Sequence, residues 1–231
     1  MVLGRYGKMD CKMEIRTMKV LVACEYSGVV RDEFIKKGHE ATSCDILPSE
    51  SNLGNHYQGD VKDILQQDWD LMIAHPPCTY LTVTGNRWFY HPEDKDLPIE
   101  KRRPHPKHLN RRQLQEQALD FVKLLLNAPI NKIALENPVG VISTRITKPQ
   151  QIIQPYMFGH VESKKTCLWL KNLPLLEPTN VVHQEQRVVY ASGKTMPKWY
   201  ADLWSLPPNE REKARSKTFV GIAKAMADQW G

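Results

Sequence analysis

Trp69-Asp70-Leu71-Met72-Ile73-Ala74-His75-Pro76-Pro77-Cys78-Thr79-Tyr80 carries the strongest architectural signal of the chain. Four apolar residues follow an aspartate and run into two prolines, which carry no backbone donor and fix φ. A short apolar run closed in this way reads as a buried strand of a parallel sheet that must stop and turn at Pro76. Cys78 is thereby delivered just past a strand's carboxyl end. Ligands of open α/β sheets bind at that edge, so a thiol held there by a stiff turn is placed for nucleophilic chemistry. The competing reading is a small buried hydrophobe, which is what most free cysteines are.

The pattern repeats outward from this stretch. On the N-terminal side, Lys19–Glu25 is another apolar run, followed by Ser27-Gly28 as turn and cap chemistry and by Val29, Val30, Phe34 and Ile35 at helical spacing up to Gly38. Backbone donors at such a helix start can hold a carboxylate or a phosphate. Glu40–Ile46 gives a second strand with Asp45 at its end, where an acid can accept the ribose hydroxyls of an adenosine-containing cofactor or simply cap a turn. Gly59-Asp60 precedes a short helical segment at Val61–Leu65. On the C-terminal side, Asn110 caps a helix whose apolar face is Leu114, Ala118, Phe121, Val122 and Leu125. Ile133-Ala134-Leu135 is the next strand, with Glu136 at its end. Tyr156–His160 reads as a loop and Glu162–Leu170 as the approach to a late strand. Val181-Val182 and Arg187–Tyr190 read as short strands, and Pro207-Pro208-Asn209 opens a final helical region. Alternation of strand and helix predicts an α/β fold with a doubly wound, mostly parallel sheet.

The 231 residues suit one such domain with a small appendage. A net charge of +6 and a pI near 9.0 suit an anionic partner without naming one. Five cysteines, Cys11, Cys24, Cys44, Cys78 and Cys167, are scattered with no CxxC spacing, so neither a disulfide framework nor a metal site is expected. A reducing, cytoplasmic setting follows. No apolar run approaches the roughly 20 residues a membrane helix needs. Residues 1–17 mix charge with isolated apolar positions and read as a loose arm rather than a signal peptide. Between Thr82 and Arg112 positive charge alternates with stacking faces: Arg87, Trp88, Phe89, Tyr90, Arg102, Arg103, Lys107, Arg111 and Arg112. Such a segment can grip phosphates and bases, or be a solvated loop.

Asp70-Leu71-x-x-x-x-Pro76-Pro77-Cys78 resembles the nucleophile motif of the DNA cytosine-5 methyltransferases. Leu135-Glu136-Asn137-Pro138 resembles their Glu-Asn motif, in the family's order, with proline where valine is usual. Ser216–Ala227 resembles the closing motif, with Ser216-Lys217-Thr218 in place of Gly-Asn-Ser. The resemblance spans residues 18–231 and is strongest around Cys78 and Glu136. It implies the Rossmann-like sheet of the S-adenosylmethionine-dependent methyltransferases, with a catalytic core over 18–170, a small recognition region over 171–209 and a helix over 210–231 returning to the core. It further implies Cys78 as nucleophile, Glu136 as the group on cytosine N3 and Asn137 as its orienting neighbour. S-adenosylmethionine would lie against Glu25, Tyr26, Ser27, Gly28, Asp45, Ile46, Asp60 and Pro76. Duplex DNA with a flipped cytosine would meet Arg87, Trp88, Arg102, Arg103 and Arg111, with Lys164 and Lys165 standing where the family carries Gln-x-Arg-x-Arg. Arg87 or a helix dipole is expected to help ionise Cys78. The chain departs from the family in its single loop glycine and its short recognition region. Those departures keep open RNA or a free cytosine nucleotide as carrier, a modified sulfonium cofactor, and a non-catalytic nucleic-acid-binding relative.

Overall fold

The computed structural model describes residues 16–231, so most of the N-terminal arm and Cys11 lie outside the described residues. In chain order the elements are β1 (Lys19–Ala23), α1 (Val29–Lys36), β2 (Glu40–Asp45), β3 (Asn55–Gln58), β4 (Leu71–Ala74), α2 (Arg111–Leu126), β5 (Lys132–Pro138), α3 (Ile142–Arg145), β6 (Gln151–Ile153), β7 (Thr166–Lys171), β8 (Arg187–Val189), β9 (Thr195–Pro197), α4 (Lys198–Asp202), α5 (Pro208–Ser216) and α6 (Val220–Trp230). A seven-stranded sheet runs β3-β2-β1-β4-β5-β7-β6, and β8 pairs with β9 in a separate hairpin. β1 is parallel to both β2 and β4, β3 to β2, and β5 to β4, while β7 is antiparallel to β5 and β6. The molecule is an α/β protein of Rossmann-like type, as the apolar runs predict.

Strand alternation sorts the core into two layers. Val20, Val22, Leu71, Ile73 and Ala134 face Phe34 of α1 and Ile222, Met226 and Trp230 of α6. Leu21, Ala23, Met72, Ala74, Ile133 and Leu135 face Leu119, Val122 and Leu125 of α2. Each fully buried aliphatic side chain contributes about 1.5–3 kcal/mol, against about 0–1 kcal/mol for an exposed ion pair, so these layers fix the sheet and its edge. The chain stays with the first layer past β7, because Leu176 is fully buried there and Gln151 clamps its backbone through two bonds of 2.8 Å.

The buried stripe of α2 is Arg111, Gln115, Leu119, Val122 and Leu125; it keeps Val122 and Leu125 of the predicted face, with Ala118 and Phe121 packed partly covered against the same core, and is turned away from Leu114. The turn brings two polar side chains, Arg111 and Gln115, inward to serve the backbone before them. Asn110 occupies the N-cap of α2 but makes no side-chain cap bond. Val181-Val182 is not a strand. β3, Asn-His-Tyr-Gln, is a polar edge strand with no apolar periodicity, and β6, Gln-Ile-Ile, is too short at three residues to show any. Among the described residues no helix is long and apolar enough to cross a membrane.

Candidate active site

The chain leaves β1 toward β2 on one side and the sheet continues through β4 on the other, which opens a crevice at the carboxyl ends of β1 and β4. The sequence fills that crevice in a defined way. His75 N–H donates to Ala23 O at 2.9 Å as the last rung between the strands, and Pro76 then ends the ladder. The turn beyond is closed by Leu81 and Thr82 N–H groups, which donate to Cys78 O at 2.9 and 3.1 Å. Asn137, only 2% exposed, donates from Nδ2 to Pro76 O at 2.8 Å. A second tie runs from Val141 N–H to Leu81 O at 2.8 Å, beside an isolated bridge between Thr82 and Gly140. A side chain at Gly140 would collide with the Leu81 carbonyl, so this close approach needs glycine. The Pro-Pro-Cys turn and the Glu-Asn-Pro segment are therefore one bonded unit.

Register brings Glu136 into it. Ala74 pairs with Leu135, so the next residues, His75 and Glu136, stand side by side. His75 Nδ1 and Glu136 Oε2 are 3.0 Å apart, with both side chains about nine-tenths buried. Burial pushes the Glu136 carboxyl up, but the bond to His75 and the charges of Lys164 and His75 outweigh it and hold the group below the ordinary carboxylate range. Burial pushes the Cys78 thiol up; the Glu136 charge adds to this and Lys164 opposes it. Arg87 is not among the groups acting on Cys78; the cation that acts there is Lys164, whose Nζ is anchored on Arg215 O of α5 at 2.9 Å. Burial also raises Glu25, opposed by the charge of His75 and by bonds from Val30, Arg31 and Ser27.

The other side of the crevice is acidic. Glu25 takes the first-turn donors of α1 itself, Val30 N–H at 2.7 Å and Arg31 N–H at 3.3 Å, so that helix start is already occupied by a carboxyl group of the chain. Ser27 Oγ donates to Glu25 Oε1 at 3.3 Å, and Gly28 holds a left-handed φ of 75° directly against Arg31 and Ser51. Tyr26 reaches across to α5, its hydroxyl 3.1 Å from both Lys213 O and Ser216 Oγ. Asp45 caps its own turn through Leu47 N–H at 2.9 Å, and its carbonyl accepts Gly59 N–H at 2.9 Å, which draws Asp60 toward the same edge. Asp60 accepts Lys62 N–H at 3.0 Å. Ile46, between these acids, is 75% exposed, an apolar side chain left open beside polar groups.

The basic segment before α2 forms its own structure. Arg103 is bonded to Asp94 and Glu93, holding the Asp94 carboxyl down to about 2, and Arg102 caps the Lys95 and Leu97 carbonyls. Arg111 is 6% exposed, donates to Thr79 O at 3.0 Å and stacks on Tyr80 and Phe89. Arg111 is therefore a support for the Cys78 turn, shared with Gln115, which donates to Tyr80 O at 2.8 Å. Arg87 and Trp88 lie exposed with the guanidinium 4.7 Å over the ring, at one side of a cavity of about 680 Å³. The charge of Lys164 acts on both Cys78 and Glu136, whereas Lys165 is exposed.

His75 and Gln115 are site residues that the sequence does not single out. His75 had a signal, its strand parity next to the prolines, but its neighbour depends on inter-strand register. Among the described residues no grouping of three or more His, Cys, Asp or Glu side chains is arranged to hold a metal. No protein-family model matches the chain, and no curated protein matches it.

Proposed function

We propose that the protein transfers a methyl group from S-adenosylmethionine to C5 of cytosine in DNA, through covalent addition of Cys78 at C6. The observation that carries this reading is the bonded unit of the Pro-Pro-Cys turn and the Glu136-Asn137 segment. It gathers a thiol, a carboxyl group and a lysine at one end of β4 and β5, and the charges of Glu136 and Lys164 act on the Cys78 thiol.

Cytosine C5 is a poor nucleophile until C6 carries an added group. The Cys78 thiolate supplies that group, and Glu136, hydrogen-bonded to N3, accommodates the electron density displaced from C6. Asn137 holds Pro76, and so the backbone leading to Cys78, against the segment that carries Glu136. Lys164 offsets part of the burial and charge that favour the thiol. Arg111 and Gln115 hold the backbone that follows Cys78. A cytosine in duplex DNA must leave the stack to reach this crevice, at a cost of a few kcal/mol, and the exposed Arg87 and Trp88 offer charge and a stacking face toward that end.

The residues around β1 and β2 fit the cofactor. A phosphate at the start of α1 would meet the Glu25 carboxyl group, which already takes two of the donors there. A sulfonium nucleoside carries no phosphate and has a positive centre, so Glu25, Asp45 and Asp60 suit it, with Ile46 as an apolar wall for the purine. When bound, S-adenosylmethionine supplies the activated methyl group.

The short region between β7 and α5, with one small hairpin, favours a second carrier for the same chemistry, RNA or a free cytosine nucleotide. Incubation with methyl-labelled S-adenosylmethionine and, separately, duplex DNA, single-stranded RNA and dCMP, followed by nucleoside analysis, tests both. The proposal requires 5-methylcytosine from DNA. Label in RNA or dCMP alone supports the second carrier, and label in none of them refutes both.

A further inference from the structure

On the cytosine reading above, we propose that His75 is a positioning and proton-supplying residue for Glu136, so that the two side chains act as one acid toward N3. Three observations place it there. Its Nδ1 is 3.0 Å from Glu136 Oε2, across neighbouring parallel strands whose backbone register sets the pair. Its Nε2 is buried and has no hydrogen-bond partner among the described residues. Its charge also acts on Glu25, at the end of the strand on the other side of β4, so the imidazole lies within the field of two carboxyl groups from β1 and β5.

The chemistry needs such a partner. A carboxyl held as an anion by its surroundings has no proton to offer N3, and Glu136 lies below the ordinary carboxylate range. In the proposed role, His75 supplies that missing proton from Nδ1 across the 3.0 Å contact. Cys78 enters as thiolate, its proton having passed to solvent. The S–C6 bond forms, the C5–C6 π pair moves to C4–C5, and the C4–N3 pair moves to N3. N3 takes a proton from Glu136 as the Nδ1 proton crosses to the carboxyl, leaving a neutral imidazole. When the thiolate later departs, the electrons run back and N3 returns its proton to the pair. The other charged groups bearing on this unit are Glu25 from the end of β1, Lys164 before β7 and Glu212 of α5. Lys164 acts on Glu136 and Cys78 together, whereas Glu212 acts on the thiol.

The addition step is read without any cofactor. With DNA carrying tritium at cytosine C5, addition at C6 leaves an enamine that takes a proton from water at C5, and reversal releases tritium. In His75→Asn the amide can still donate to Glu136 but cannot pass on a proton. General acid catalysis contributes about 10²–10⁴-fold, so release should fall at least about 100-fold with DNA binding unchanged. His75→Gly should recover release on addition of imidazole, which a merely structural loss would not. His75→Asn combined with Glu136→Gln should be no slower than Glu136→Gln alone, as expected of residues that act as a unit. If His75→Asn does not fold by circular dichroism, His75→Gln carries the same comparisons. Release from His75→Asn at the wild-type rate, or additive losses in the double variant, overturns the role of His75. Absence of release from the wild-type protein overturns the cytosine reading and the role of His75 with it.

Discussion

Asn137→Ala tests whether the unit joining Cys78 to Glu136 is held as described. The substitution removes the 2.8 Å bond to Pro76 O and leaves that carbonyl without its donor in a buried turn. Such a loss costs about 1–3 kcal/mol. Part of it is returned, because Asn137 Oδ1 is itself buried without a partner among the described residues and disappears with the side chain. The expected cost is therefore the lower half of the range, about 1–2 kcal/mol. In a chain of this size each kcal/mol lowers Tm by about 2–4 °C, so Tm should fall by about 2–8 °C. The effect on chemistry should be larger in proportion, since Cys78 follows Pro76 by two residues and a displacement of about 1 Å can cost about 100-fold in rate. Thermal melting followed by dye fluorescence gives the first quantity, and tritium release from C5 of cytosine in DNA at a temperature well below Tm gives the second. An unchanged rate with a lowered Tm would show that Asn137 only stabilises the fold. No change in either would remove the bond from the account.

Other expectations follow from the same contacts. Because burial and the Glu136 charge raise the Cys78 thiol, its alkylation by iodoacetamide should climb about tenfold per pH unit through neutrality and level off only above the ordinary cysteine value of about 8.5. Lys164→Met should move that profile to still higher pH, because the charge that opposes the shift is gone; a plateau below about 8.5 would contradict the assignment. Arg87→Ala should lower the slope of log affinity for DNA against log salt by about 1, as loss of one phosphate contact does. Arg111→Ala should leave that slope unchanged and lower Tm, because this arginine is buried against Thr79 O, Tyr80 and Phe89; a changed slope would return it to the nucleic-acid interface. Gly140→Ala forces a methyl against the Leu81 carbonyl and should cost about 1–3 kcal/mol by melting, with slowed tritium release. Wild-type Tm and rate in that variant would show that the two segments do not approach as described.

The central strands were legible because β1, β4 and β5 are apolar runs with nothing else to be, and the prolines after Ala74 and the glycine after Tyr26-Ser27 marked where each turn begins. β3 was not, since an edge strand exposed on one side keeps polar residues such as Asn55 and Gln58 and carries no periodic signal. The face of α2 is legible only in part, for a physical reason. Apolar periodicity favoured Leu114 and Phe121, but Arg111 and Gln115 turn inward to satisfy the Thr79 and Tyr80 carbonyls, and unmet backbone acceptors leave no trace in a hydropathy pattern. The helix start after Gly28 read as an anion site, whereas its donors go to Glu25, a residue of the chain itself. Cys78 and Glu136 could be singled out in the sequence, but the pairing of Glu136 with His75 depends on the register of β4 against β5, which no single strand encodes.

The step on which the proposed chemistry turns is a covalent bond from Cys78 to cytosine. Incubation with S-adenosylmethionine and duplex DNA in which cytosine is replaced by 5-fluorocytosine, followed by intact-protein mass spectrometry and peptide mapping, tests it directly. Fluorine at C5 blocks the final elimination, so a stable adduct should map to the peptide containing Cys78 and be absent from Cys78→Ala. An adduct at another residue, or none from protein that binds both S-adenosylmethionine and the DNA, would contradict it.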